Sequence, residues 1–469
     1  MVPGHHGGDA LMLGVQMAAL AEIPTAVPDA VAVVAGIDTA LVNGFGRLGD
    51  QDGAALAAMA GAVSGSPLGA AVADAAAKLG AGSIGPEELS AVAAGRAALL
   101  GAVHDALAER FDSALGRTRS AWEGSDEPAR PDDLVVGCRS WLQEVAITGW
   151  RGVDHDLVAA ADRTVAALWA EPTLRRPAVL LDGFTAELRA ACPIATLDKL
   201  PTRRWADLWT RALLSTWRCA DIPHAATVSG RLLILGVDVH EHGTAVQAQI
   251  HGVLETGDGL TRRVRVSVGA AKVDTIVGPA IWELLADHRQ LLRALAEHRA
   301  LAVTDLPLTA SGDLLWRDDR AELDAPADPF TTARVRLADA VGPAAPPLER
   351  DPVHLAEPVL LEGYRVRDGA VELDGHRLAV DVERLPGCGP LTPSAVTSSS
   401  ACIGLVRWDA GRWMLRPLAV RRMVKGAPVD AHNGDWALGP TDPKVVKALA
   451  KSGDSVAVLR ERAGRLLRK

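Results

Sequence analysis

The side chains best placed to do chemistry are the histidines of His240-Glu241-His242, with His251 close behind. Two imidazoles separated by one residue on a strand project to the same side, a common way to hold a transition metal through nitrogen. The local sequence works against a complete site. Gly243 makes His242-Gly243 the natural turn of a hairpin. That turn pairs His240 with Ala245 and carries His251 roughly 20 Å away, at about 3.3 Å per residue. One ion cannot be shared across that span. His240 and His242 remain as metal candidates, solvated turn histidines are the simpler expectation, and no cofactor is expected.

Gly44-Phe45-Gly46-Arg47-Leu48-Gly49 has the G-x-G-x-x-G spacing that lets backbone approach a pyrophosphate. That fingerprint needs a strand ahead of it and a second strand carrying an acid about 20 residues on. The Ala-rich region 53–79 holds no second strand, so a glycine-rich interhelical loop is expected. No P-loop lysine motif and no G-x-S-x-G elbow occurs in the sequence. Ser398-Ser399-Ser400 reads as a flexible loop, because a nucleophile there would need a base that its neighbours do not supply. Asp318 and Asp319 beside Arg317 and Arg320 read as a self-neutralising turn. Arg262-Arg263-Arg265, Arg421-Arg422-Lys425 and the basic C-terminal stretch carry charge that could meet phosphate. One Tyr and four Phe leave few of these rings to stack bases.

The net charge is −9; residues 441–469 hold eight Lys/Arg and three Asp/Glu (+5), which leaves −14 on the rest. An acidic body is repelled by nucleic acid and by anionic membrane surfaces, so protein partners are expected instead. Cys138, Cys192, Cys219, Cys388 and Cys402 are odd in number and form no C-x-x-C pair, as in reduced thiols of a cytosolic protein. The apolar stretch 10–21 is preceded by no Lys or Arg and bracketed by Asp9 and Glu22, which argues against a secretion signal. No run approaches the roughly 18–20 apolar residues of a bilayer-spanning helix. A soluble cytoplasmic protein is the expectation.

These residues sit in two kinds of sequence. Up to about residue 225 apolar residues recur in steps of three and four, predicting helices near 10–22, 28–43, 53–63, 67–79, 86–116, 132–148, 154–171, 183–192 and 203–218. Trp205, Trp209, Leu213 and Trp217 form one stripe on the last of these, expected as an aromatic core seam, with a partner groove as the alternative. Beyond Val228 apolar and polar residues alternate. Leu233, Leu235, Val237 and Val239, then Val246, Ala248 and Ile250, then Val264, Val266 and Val268 predict a three-stranded antiparallel meander, one face buried and one wet. A helix from 281 to about 300 covers its open face. Short strands near 364–366, 370–373 and 378–382 turn at Asp368-Gly369 and Asp374-Gly375, and a hairpin 403–408/413–420 sets Trp408 opposite Trp413. Helices are expected from 443 to 450 and from 455 to the end.

The stretches 203–216 (RRWADLWTRALLST) and 229–242 (SGRLLILGVDVHEH) resemble uncharacterised bacterial proteins that accompany MoxR-type AAA ATPases and von Willebrand A-type proteins. The resemblance implies a non-catalytic partner in an ATPase-linked assembly, with an AAA ATPase as partner, and brings no catalytic residue with it. The resulting expectation is an α+β chain: an N-terminal Ala-rich helical bundle, then C-terminal small antiparallel β-sheets or partial barrels with covering helices. Its divisions are 1–124, a Trp-rich helical domain 134–225, the meander and helix 226–341, and a hairpin region with basic helices 353–469. The expected role is a cytosolic scaffold or adaptor, with Trp205, Trp209, Trp217, Arg421, Arg422 and Lys425 as partner-binding candidates. Two alternatives stand beside it: an enzyme with its site in a cleft between helical and β regions, and an OB-like module for single-stranded nucleic acid or oligosaccharide.

Overall fold

The change of period near residue 225 is also the change of architecture. The computed structural model describes residues 12–122, 133–171, 174–217, 226–241, 245–273, 275–350, 355–409, 411–452, 456–458 and 461, and over these the chain is α+β. The helices before the switch are α1 (Gly14–Ala21), α2 (Ala26–Asn43), α3 (Asp50–Ala62), α4 (Gly69–Gly80), α5 (Pro86–Leu115), α6 (Asp133–Thr148), α7 (His155–Ala159), α8 (Asp162–Ala170), α9 (Arg175–Ala191) and α10 (Thr202–Ser215). Helices α2 to α10 share one apolar core, so the polar stretch near 125–133 does not divide two helical domains as the sequence suggests. Trp150, Trp205 and Phe184 meet edge to face within it.

A buried charge network ties three of these helices together. Arg96 of α5 reaches Asp38 of α2 at 2.6 Å and Asp207 of α10 at 2.7 Å. The G-x-G-x-x-G segment is an interhelical turn, as expected. Gly44 (φ 87°) approaches α6 so closely that a Cβ there would lie 2.5 Å from the Ile147 carbonyl oxygen. Against the sequence expectation, α2 and α5 each contain an 18-residue window apolar enough to cross a bilayer, with mean hydropathy 1.4 and 1.2. Both contribute to the helical core, and the buried Asp38–Arg96 pair lies between them.

After the switch come β1 (Ala226–Glu241), β2 (Ala245–Thr256), β3 (Thr261–Ala271), α11 (Ile281–Leu284), α12 (Arg289–Glu297), β4 (Arg299–Leu308), β5 (Ala321–Pro326) and α13 (Pro329–Arg336). They are followed by β6 (Ala356–Glu362), β7 (Arg365–Arg367), β8 (Ala370–Leu373), β9 (His376–Val380), α14 (Pro393–Thr397), β10 (Ala401–Asp409), β11 (Arg412–Val424), β12 (Ala427–His432) and α15 (Pro443–Ser452). The first sheet runs β3-β2-β1-β4-β5 and the second β6-β10-β11-β9-β8-β7, with β12 beside β11. Both are open sheets, not the partial barrels allowed by the sequence.

The two sheets stack, and this corrects the expectation of a meander with a wet face. A β-bulge at Leu235 shifts the β1–β2 register between Ile234↔Gly252 and Gly236↔His251. Leu232, Ile234, Val237 and Val239 therefore face α11 and α12. Leu233 and Leu235 instead join α13 and the second sheet's Leu360, Ile403 and Ala419. The second sheet's far face packs on α1 and the C-terminal half of α5, where Phe111 meets Trp413. Trp408 and Trp413 pair across β10–β11 with ring centroids 5.4 Å apart, as the hairpin sequence predicts.

Candidate functional site

Helix α5 ends at Gly116 in the left-handed conformation (φ 64°), and the chain turns back so that the Arg117 N–H donates to the Asp112 carbonyl. That turn delivers Arg117 and Arg119 to a cleft of ≈ 460 Å³ between α5, β3 and the start of β6. Glu357, only 4% exposed on its side chain, lies under three guanidinium groups. Arg117 and Arg119 each reach it at 3.1 Å and Arg263 donates to it through Nη1. Arg117 and Arg119 also hold Asp112. Three cations thus gather at two carboxylates, and Glu109, which also lines the cleft, offsets the difference in charge. Burial alone would raise the Glu357 carboxyl, but attraction to Arg263, Arg119 and Arg117 outweighs it and holds the group well below the usual carboxylate range.

The rest of the lining is equally charged. Arg265 pairs with Asp313 at 2.6 Å, and Arg350 pairs with Asp105. The Nε of Arg117 and Nη1 of Arg350 are buried without a hydrogen-bond partner among the described residues. His104 borders the cleft 3.7 Å from Asp105, longer than a hydrogen bond, and burial holds its imidazole below its usual pKa. The exposed Thr118 stands at the mouth.

Across β2–β3, His251 lies opposite Arg265. It is buried, its Nε2 has no hydrogen-bond partner among the described residues, and burial pushes its pKa down to about 3 against the opposing pull of Asp238. Asp238 forms an ion pair with Arg416 of the second sheet at 2.6 Å and approaches His240 Nε2 at 3.1 Å. The expected His240–Ala245 pairing is not found: His240 lies opposite Gln247, a longer connection than a two-residue turn. His240 is therefore an Asp238 partner at the sheet seam. His242 lies outside the described residues.

A third group was invisible in the sequence. His298 follows α12 with φ 50°, His432 closes β12, and Asp435 lies just after it. Their ligand-capable atoms all lie within 4.8 Å of one another. His298 Nε2 is 3.0 Å from Asp435 Oδ1, and Asp435 Oδ2 accepts a hydrogen bond from the His432 backbone N–H at 3.0 Å. The Asp435 hydrogen bond raises the His298 pKa, whereas burial lowers that of His432 to about 4.

The other sequence candidates are scattered. Trp205 and Trp209 are 2% and 0% exposed, in the helical core, and so cannot present a surface to a partner. Trp217 is 43% exposed and stacked under Arg139 at 3.6 Å. Arg421 is held by Asp430 and Asp328 over the Phe330 ring, Arg422 is half-buried, and Lys425 (φ 52°) is exposed in the β11–β12 turn. The turn residue Asp318 is not merely self-neutralised: it caps α12, accepting from the Gln290 N–H at 3.1 Å. Of the Arg262-Arg263-Arg265 cluster, Arg263 and Arg265 line the cleft. Arg117, Arg119, Arg350 and Glu357 were missed; the one available signal was the Gly116 helix stop followed by Arg117-Thr118-Arg119. Compared with known proteins, the chain matches no protein-family model, no curated protein and no solved structure.

Proposed function

We propose that this chain is a non-catalytic cytosolic adaptor, and that the cleft between α5, β3 and β6 takes an acidic segment of a protein partner. The observation that supports this most is the uneven cluster of Arg117, Arg119 and Arg263 over Glu357 and Asp112. A guanidinium fork matches a carboxylate in a bidentate manner, and the three clustered guanidinium groups offer such forks to an anionic guest. The cleft has the volume of an ordinary ligand site. Proton transfer by the arginine–glutamate network is a poorer fit, because arginines do not titrate near neutral pH and Glu357 is held ionised far below it; the imidazole bordering the cleft is that of His104. Membership of an ATPase-linked assembly agrees with the resemblance of the segments 203–216 and 229–242.

Affinity purification of the tagged full chain from its native cells, beside Thr118→Glu and Thr118→Gln, tests the reading. A protein with an acidic segment should co-elute with the parent and with Thr118→Gln, and fall by roughly tenfold with Thr118→Glu, about 1.4 kcal/mol of lost affinity. Equal recovery from both variants, or a parent that elutes alone, overturns it.

A further inference from the structure

We infer that His298, His432 and Asp435 form a binding site for one divalent transition ion of the zinc type, away from the arginine cleft. Two imidazoles and one carboxylate are a nitrogen–oxygen ligand set suited to such ions. The three side chains come from separate parts of the fold: the end of α12, the last residue of β12 and the turn that follows. Their ligand atoms already lie within 4.8 Å of one another, close to the spacing of ligands around a shared ion.

Three further features support this. A void of ≈ 10 Å³, about the space of one water molecule, lies against both imidazoles; Gly434, Arg299 and apolar side chains complete its wall, and Asp435 stands outside it. The supporting contacts are in place: the His432 backbone N–H fixes the Asp435 carboxylate, and the His432 ring is boxed in by His298 at 4.4 Å and Phe330 at 5.8 Å between centroids. His298 also holds a left-handed backbone conformation, sparsely populated for a residue with a Cβ, beside the site.

The test is isothermal titration of zinc chloride into the full chain after chelator treatment and removal of the chelator. The parent should bind one equivalent. His298→Gln and Asp435→Asn, each with the parent's far-ultraviolet circular dichroism, should weaken binding by at least about tenfold to a hundredfold. Asparagine can still accept from the His432 N–H, so Asp435→Asn separates loss of ligation from loss of fold. The parent showing no saturable binding overturns the site. So does binding that both variants retain and that disappears only when the sequence-adjacent pair His5 and His6 is replaced.

Discussion

Glu357 is buried under three arginines, so removing its charge leaves Arg117 and Arg119 with Asp112 alone and takes away the carboxylate that Arg263 pairs with. Glu357→Gln should cost about 3–5 kcal/mol at neutral pH, measured by urea denaturation, because a broken buried pair strands its partners. Its depressed folded-state pKa also fixes a sign. The stability it adds is present above the ordinary value of 4.5 and is lost as pH falls below it, since the unfolded chain takes up the proton first. The glutamine variant should lose less stability on acidification than the parent. His251 acts in the same direction over a different window. Its unfolded imidazole takes a proton below 6.5, whereas the buried one waits until about 3, so stability falls as pH drops between them. Urea midpoints at pH 7 and pH 5 should show the parent losing about 2 kcal/mol more than His251→Leu over that interval. Equal losses would mean that His251 is solvated. His251 and Arg263 could be named beforehand as candidates, but their buried surroundings could not. Glu357, Arg117 and Arg263 are far apart in the chain, and nothing in the sequence marks the contact between them.

At the scale of elements, the stacked sheets depend on one close approach. A Cβ on Gly236 would lie 2.7 Å from Leu418 Cβ across the seam, so Gly236→Ala must push the sheets apart. It should destabilise the protein by about 1–3 kcal/mol, and Leu418→Ala in the same chain should recover part of the loss. Simple addition of the two effects would show that the sheets do not meet there. The strands themselves were legible: alternation gave β1 to β3, and the Asp-Gly pairs gave turns with both residues at positive φ, Asp368-Gly369 and Asp374-Gly375. What alternation could not give was the face. The bulge at Leu235 puts Leu233 and Leu235 on the same face as Asp238, and the second sheet stacks on that face, so Asp238 of β1 and His251 of β2 are buried instead of wet.

Across the whole molecule, the apolar cores ignore the divisions suggested by Pro-rich and polar stretches. Met17, Leu107 and Phe111 from the helical half share a core with Leu361, Val406 and Val420 of the second sheet. Trp436, from beyond that sheet, packs under the first. A fragment of residues 226–469 should therefore expose one face of the second sheet and lack the near-ultraviolet circular dichroism of a packed fold. A fragment that melts sharply on its own would show the halves to be independent. Composition and period reveal which segments are helix or strand, but not which segment covers which, because packing partners leave no local trace. The adaptor reading rests on the arginine cleft at this junction. The most direct measurement is calorimetric titration of a hexaglutamate peptide into the full chain and into Thr118→Glu at low and physiological salt. Saturable binding by the parent that weakens with salt and falls roughly tenfold in the variant is the expected result. Absence of binding, or equal binding by both proteins, would contradict the assignment of the cleft.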